Sequence, residues 1–318
     1  MNEKNKRMTN FDILKGISVF LIIQIHYPSM FRKEYIDAIA RIGVPLFFMI
    51  SGYYIGNTRC TVKRIRKTIE ILVVTELAYC AVYFWMGKKY IVQMAFENEM
   101  RNLMLGQLRI WFPGWYLISL VYAYLFYIII SECKIPKEIQ YMIIVGLLFL
   151  LWIMQRQERL SAINEYSFIF RGIPFVLIGK MVRNEQEKIK LKKNGYWVFI
   201  AFISVATIVL ERCFWNRRGM LQFFYIFIGT VPLAVSIFSL ALKSVEWNAP
   251  FLAFIGEKLS TYMYCCHLIV GEFVNFKNET FDFFWFCAFS FLASLGIYYI
   301  VQCVKRKKHI LAKIPVSR

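Results

Sequence analysis

The sequence predicts an all-α fold, a polytopic integral membrane helix bundle of about ten transmembrane helices. Three observations predict it. Of 318 residues, 58% are hydrophobic and 18% aromatic, with a mean hydropathy of +0.49, which is more apolar surface than one water-exposed core can hide. Charged residues make up only 19% and cluster between apolar runs, where soluble amphipathic helices would alternate the two. The apolar runs are mostly about 17–25 residues long, the length at which a helix crosses a hydrocarbon core of roughly 30 Å.

Ten runs follow one another, at residues 11–29, 36–56, 68–86, 111–130, 140–155, 167–183, 196–211, 221–242, 250–274 and 281–304. The fifth and seventh are short, so nine is an alternative count. Together they make one membrane domain over residues 1–318, and no appended soluble domain is expected. The first run contains Asp12, Lys15 and His26 and is not followed by a small-residue cleavage site, so a cleavable signal peptide is not expected. The connection at 87–110 mixes Phe96, Met100, Leu103, Met104 and Leu105 with charges, the pattern of an amphipathic helix at the outer interface.

The formal charge of +19 would point to nucleic acid in a soluble protein. Here no basic stretch is interleaved with aromatics in a soluble segment, so a nucleic-acid module is excluded. The excess instead follows topology. With the N-terminus inside, one side of the bilayer collects Lys4, Lys6 and Arg7; Arg59, Lys63, Arg64, Arg66 and Lys67; Lys188, Lys190, Lys192 and Lys193; and Lys305 to Lys308. The other side holds fewer, such as Arg32, Lys33, Arg212, Arg217 and Arg218, although Lys88, Lys89, Arg101 and Arg109 lessen the contrast. The positive-inside rule therefore expects a multi-pass protein of the cell membrane with both termini cytoplasmic. Eight cysteines offer no CxxC pair and no metal-ligand spacing, so no metal site is expected. In apolar runs such thiols act as small hydrophobes.

Ionisable groups inside spans cost a few kcal/mol on insertion scales and mark interior sites. Lys15 and His26 are eleven residues apart, a rotation within roughly 20° of three full turns, so they share one face of the first helix about 16 Å apart. Asp12 lies less than a turn before Lys15 and is expected to pair with it. Arg41 opens the second span, where Gly43 and Pro45 loosen the helix and Ser51 and Gly52 permit close packing. Arg64 and Lys67, three residues apart, are expected to point the same way and to grip a phosphate-rich ligand. Arg171 and Lys180 flank Gly172, Pro174 and Gly179. In the ninth span Tyr264 and His267 are neighbours on one face, and two of the three histidines at similar depth suggest a shared polar chamber. The plainer alternatives are a snorkelling Lys15, a packed polar His267 and a basic cluster that only sets topology.

These residues, taken in order, resemble the membrane acyltransferase-3 family. Asp12-Ile-Leu-Lys15-Gly16 followed by His26 is similar to its first-helix signature. Arg41-Ile-Gly-Val-Pro-Leu-Phe-Phe-Met-Ile-Ser51-Gly52-Tyr53 resembles its second-helix phrase. Arg64-Ile-Arg-Lys67 resembles its paired basic motif, with Lys67 where Arg is frequent. Trp115-Tyr116-Leu117, Arg171-Gly172-Ile-Pro-Phe175 with Gly179, and Gly256 through His267 resemble later landmarks. Pro113 stands where relatives often carry a histidine. The family also includes the membrane part of vancomycin-resistance serine racemases.

The resemblance implies transfer of an acyl group, commonly acetyl, from acyl-CoA to a hydroxyl of a cell-envelope carbohydrate. On that reading His26, Asp12 and Arg41 are the catalytic candidates, and Lys15, Arg64 and Lys67 bind acyl-CoA. Ser51, Arg171, Tyr264 and His267 complete the polar chamber. Acyl-CoA is a co-substrate and no cofactor is held permanently. The expected partners are a carbohydrate or glycolipid acceptor, the bilayer and a separate envelope-biosynthesis protein. A transporter of an amino acid or a lipid-linked sugar is the alternative, since broken helices with buried charges suit it too.

Overall fold

A computed structural model describes residues 8–26, 33–88, 114–157, 168–218, 226–243, 247–273 and 279–311. The expected interfacial helix, Pro113 and the basic cluster from Lys4 to Arg7 lie outside these residues, apart from the start of that connection. The described chain is helical, with no strand among the described residues. Its helices are α1 (Thr9–His26), α2 (Lys33–Ala40), α3 (Gly43–Tyr53), α4 (Thr58–Trp85), α5 (Trp115–Glu132) and α6 (Lys137–Arg156). A π-turn (Phe168–Gly172) leads into α7 (Ile173–Asn184), followed by α8 (Gln186–Leu191), α9 (Asn194–Arg217) and α10 (Thr230–Lys243). Then α11 (Pro250–Phe254) runs through a second π-turn (Ile255–Leu259) into α12 (Ser260–Phe273), and α13 (Glu279–Leu311) ends the described chain.

Helical segments lie at all ten expected positions, and among the described residues six stretches are long and apolar enough to cross a membrane: Glu34–Tyr53, Thr58–Trp85, Trp115–Glu132, Lys137–Arg156, Asn194–Arg217 and Phe283–Arg306. Length and composition among the described residues confirm six of the ten expected crossings. α1 is diluted by Asn10, Asp12, Lys15, Gln24 and His26, α7 and α10 are short, and a π-turn divides the ninth segment. Two boundaries also move. The third span was expected from residue 68, but α4 begins at Thr58, where the Asn57 side chain accepts a hydrogen bond from the Cys60 amide at 3.0 Å. Strong helix formers then carry the helix through the basic cluster. The second span is two helices, broken at Arg41 and Ile42, because Pro45 has no N–H to offer the Arg41 carbonyl four residues back.

α1 sits at the centre, packed against α3, α10, α11, α12 and the second π-turn. Its neighbours come close because the motif glycines are crossing points. A Cβ on Gly256 would lie 1.7 Å from the Asp12 carbonyl oxygen, and one on Gly16 would lie 2.3 Å from that of Leu252. The α3–α7 contact repeats the device, with Gly52 against the Val176 oxygen and Gly179 against that of Met49, each at 2.0 Å. Such backbone contact is how small residues bind membrane helices, since lipid leaves no hydrophobic force between them. Asn10 adds a polar fastening: its amide donates to the Ala241 carbonyl at 3.0 Å and accepts from the Trp247 amide at 2.8 Å.

Outer helices turn large apolar side chains outward, including Val74 and Leu77 on α4, Met142 on α6, Phe202 and Leu210 on α9, and Ile300 on α13. Lipid is the solvent that accommodates such a belt.

Candidate active site

Two helices bring the histidines together. His26 ends α1 and His267 lies in α12, with ring centroids 5.2 Å apart. His267 is fully buried, and its Nδ1 lies 2.7 Å from the Tyr264 carbonyl oxygen. A carbonyl only accepts, so Nδ1 carries the proton and Nε2 of the neutral ring is left with a lone pair. That Nε2 is buried with no hydrogen-bond partner among the described residues. With the His26 ring beside it, a small rotation of either ring would let this nitrogen accept the N–H of the other imidazole and leave the far nitrogen of His26 bare.

Arg41 stands on the same side. Its Nη2 is 2.9 Å from Asp37 Oδ2, and both groups act electrostatically on His26. Asp37 was not among the sequence candidates, though the i,i+4 spacing of an acid and a base was the available signal.

Asp12 is placed elsewhere. It pairs with Lys15 at 3.2 Å, as the spacing suggested, and Lys15 Nζ lies 6.0 Å from the centroid of the Tyr54 ring. This pair occupies the opposite end of α1, where Asp12 is separated from His26 by roughly 21 Å of helix axis. Asp12 and His26 are therefore not one constellation.

Between the two ends runs a series of polar and aromatic contacts. Arg64 hydrogen-bonds to Tyr124, and Ser51 bonds to both Tyr124 and Tyr116. The Tyr116 ring lies 5.2 Å from that of Tyr264, which lies 6.0 Å from His267. The Arg171 guanidinium stacks 3.9 Å from the Trp115 ring and acts on Tyr264. It stands in the first π-turn, and Gly256 in the second, irregularities that recur at functional positions. Sequence reasoning missed Tyr116 and Tyr124 as site residues, although Tyr116 stands within the Trp-Tyr-Leu landmark. Arg64 and Lys67 part company: Arg64 is half-buried toward Tyr124, whereas Lys67 is exposed.

A second buried charge cluster was also missed. Arg156 on α6 pairs with Glu211 on α9 and stacks 3.3 Å from the Trp152 ring. Glu211 accepts from the Ile228 amide at 2.7 Å, so the pair fastens the chain ahead of α10. Arg156 also donates through Nη1 to the Trp152 carbonyl at 2.5 Å, a set of contacts that suits a structural fastening.

A bundle of apolar helices with this interior constellation is a membrane protein with a sheltered polar site, and its class follows from comparison with known families. The profile of the acyltransferase-3 family, described as an acyltransferase domain, matches residues 8–303, essentially the whole chain. The chain belongs to the membrane acyltransferase-3 family and is a membrane acyltransferase. Neither a curated protein nor a solved structure matches it.

Proposed function

We propose that the enzyme moves an acyl group, acetyl in the first instance, from acyl-CoA to a hydroxyl of a cell-envelope carbohydrate. It works in the cell membrane with both termini cytoplasmic, beside a separate envelope-biosynthesis protein that supplies or receives the acceptor. The observation that carries the reading is the facing pair His26 and His267, joined by the Tyr264, Tyr116, Ser51 and Tyr124 contacts to Arg64.

Arg64 and Lys67, with Lys15, hold the phosphates of acyl-CoA at the inner face. The thioester then reaches into the bundle along the roughly 16 Å that separates the levels of Lys15 and His26. His267 accepts the His26 N–H, which presents the bare nitrogen of His26 to the reacting groups. As a base, that nitrogen takes the acceptor hydroxyl proton, the oxygen attacks the thioester carbonyl, and the C–S bond breaks. The departing thiolate then takes the proton back from His26. As a carrier, the same nitrogen attacks the thioester carbonyl and the C–S bond breaks to release CoA thiolate; the acceptor oxygen then attacks the acyl carbon, the C–N bond to His26 breaks, and the hydroxyl proton passes to the thiolate. Arg41, balanced by Asp37, stabilises the negative oxygen that forms in either case. Arg171 holds the chamber wall through Trp115. Asp12 contributes through Lys15 alone.

The deciding experiment is mass spectrometry of envelope glycans from cells with the wild-type gene, without it, and with His26→Ala. Acetyl mass present with the wild type and absent in the other two supports the reading. Acetylation retained by an inserted His26→Ala protein refutes the role of His26, and glycans identical in all three refute the acceptor class.

A further inference from the structure

We propose that Lys180, together with Arg183, forms a second phosphate-binding locus beside Arg64, so that the inner end of α3, α5 and α7 takes a ligand carrying at least two phosphate groups. The proposal rests on the acyl-CoA reading above and extends it to residues outside the basic motif.

The placement comes from two tyrosines. Tyr124 and Tyr127 are three apart on α5, which puts their Cβ atoms about 5–6 Å apart on one face. Each meets a cation from a different helix. Arg64 of α4 hydrogen-bonds to Tyr124, and Lys180 Nζ of α7 lies 5.5 Å from the centroid of the Tyr127 ring. Arg183, one turn further along α7, donates to the carbonyls of Tyr53 at 3.2 Å and Ile55 at 3.0 Å. Those bonds hold it at the C-terminal end of α3, where it acts on both Tyr127 and Lys180.

Three cations from two helices, α4 and α7, thus gather beside one aromatic face of α5. Lys180 forms no ion pair with a carboxylate among the described residues, and the charge that acts on it is the like charge of Arg183. A half-buried ammonium beside a guanidinium in a bundle of apolar helices is costly. An anion that bridges them removes that cost, and the carbonyls at the end of α3 offset only part of it. One phosphate can be shared by neighbouring donors, but cations set over two separate tyrosines match phosphates that are themselves separated along a ligand, as they are in CoA. Phospholipid headgroups carry the same chemistry and are the competing source. A snorkelling Lys180 with no ligand is the ordinary alternative.

The test uses the full chain in nanodiscs of phosphatidylcholine, with and without phosphatidylglycerol, and measures CoA binding by calorimetry. The variants are Lys180→Met, which keeps the length and removes the charge, Lys180→Arg, which keeps the charge, and Arg64→Ala. The expected result is about tenfold weaker CoA binding by Lys180→Met, the loss of one charge-assisted contact, with Lys180→Arg close to wild type. Removal of the 3′-phosphate from CoA should then weaken the wild type more than it weakens Lys180→Met or Arg64→Ala, identifying which cation meets that group. CoA binding by Lys180→Met equal to wild type, with Arg64→Ala impaired, overturns this proposal and leaves the donor reading standing. An effect of Lys180→Met on phosphatidylglycerol retention alone assigns the lysine to lipid and overturns it too. A wild-type protein that binds no CoA in either disc refutes the donor reading and this proposal together.

Discussion

Replacing His267 by Phe tests the chemistry of the histidine pair with little disturbance of the fold. The ring volume is kept, and what disappears is the Nδ1–H bond to the Tyr264 carbonyl at 2.7 Å and the buried lone-pair nitrogen Nε2 of the ring beside His26. The Tyr264 carbonyl lies inside α12 and keeps its helical partner, so the stability cost is that of one hydrogen bond, about 1 kcal/mol. The kinetic cost is larger. A positioned acid or base contributes 10²- to 10⁴-fold, and without its orienting partner His26 keeps its nitrogen but loses control of tautomer and direction. A drop of about ten- to a hundredfold in kcat follows, equivalent to about 1.4–2.7 kcal/mol in the barrier. The Michaelis constant for acyl-CoA should change little, because His267 lies at the far end of the contacts from Arg64. The assay is release of CoA thiol by the purified enzyme in nanodiscs with an acceptor present, beside a His26→Ala control that is inactive. A His267→Phe enzyme with wild-type kcat would refute the pairing, and a change confined to the Michaelis constant would move His267 into substrate binding.

Other consequences are separately measurable. Gly256→Ala forces a methyl group to within 1.7 Å of the Asp12 carbonyl, and the overpacking should cost at least about 1–3 kcal/mol, read as a lower melting temperature in nanodiscs. An unchanged melting temperature would mean that the α1 crossing is looser than described. Arg156→Leu leaves Glu211 buried and unpaired, which should destabilise by about 3–5 kcal/mol. The double variant with Glu211→Leu should recover part of the loss, and no recovery would mean that the Ile228 contact matters more than the charge. Arg64→Ala should weaken acyl-CoA binding, with the difference from wild type narrowing as salt rises and screens the contribution. Affinity equal to wild type at every ionic strength would remove Arg64 from the donor site.

Much of the architecture was legible along the chain because lipid imposes a one-dimensional rule: a helix that meets hydrocarbon must be apolar over its length. The long outer helices α4, α6, α9 and α13 obey it plainly. The central elements obey it less, since α1, α7 and α12 are sheltered by the others and can carry Asp12, Arg171 and His267. Periodicity also placed Lys15 with His26 and Tyr264 with His267 on shared faces, and spacing paired Asp12 with Lys15. It could not show that Asp37 balances Arg41 beside His26, nor that Arg64 and Lys67 differ in burial, because those depend on what each helix face meets.

By itself, then, the sequence determined that this is a membrane bundle and which polar side chains had to be sheltered, because hydropathy and helical period act locally. Only the tertiary structure decided that His267 meets His26, that Ser51 joins Tyr116 to Tyr124, and that Lys180 and Arg64 approach one face of α5. Those meetings depend on how helices distant in the chain cross. The crossings are set by backbone contact at Gly16, Gly256, Gly52 and Gly179, whose partners no local pattern identifies.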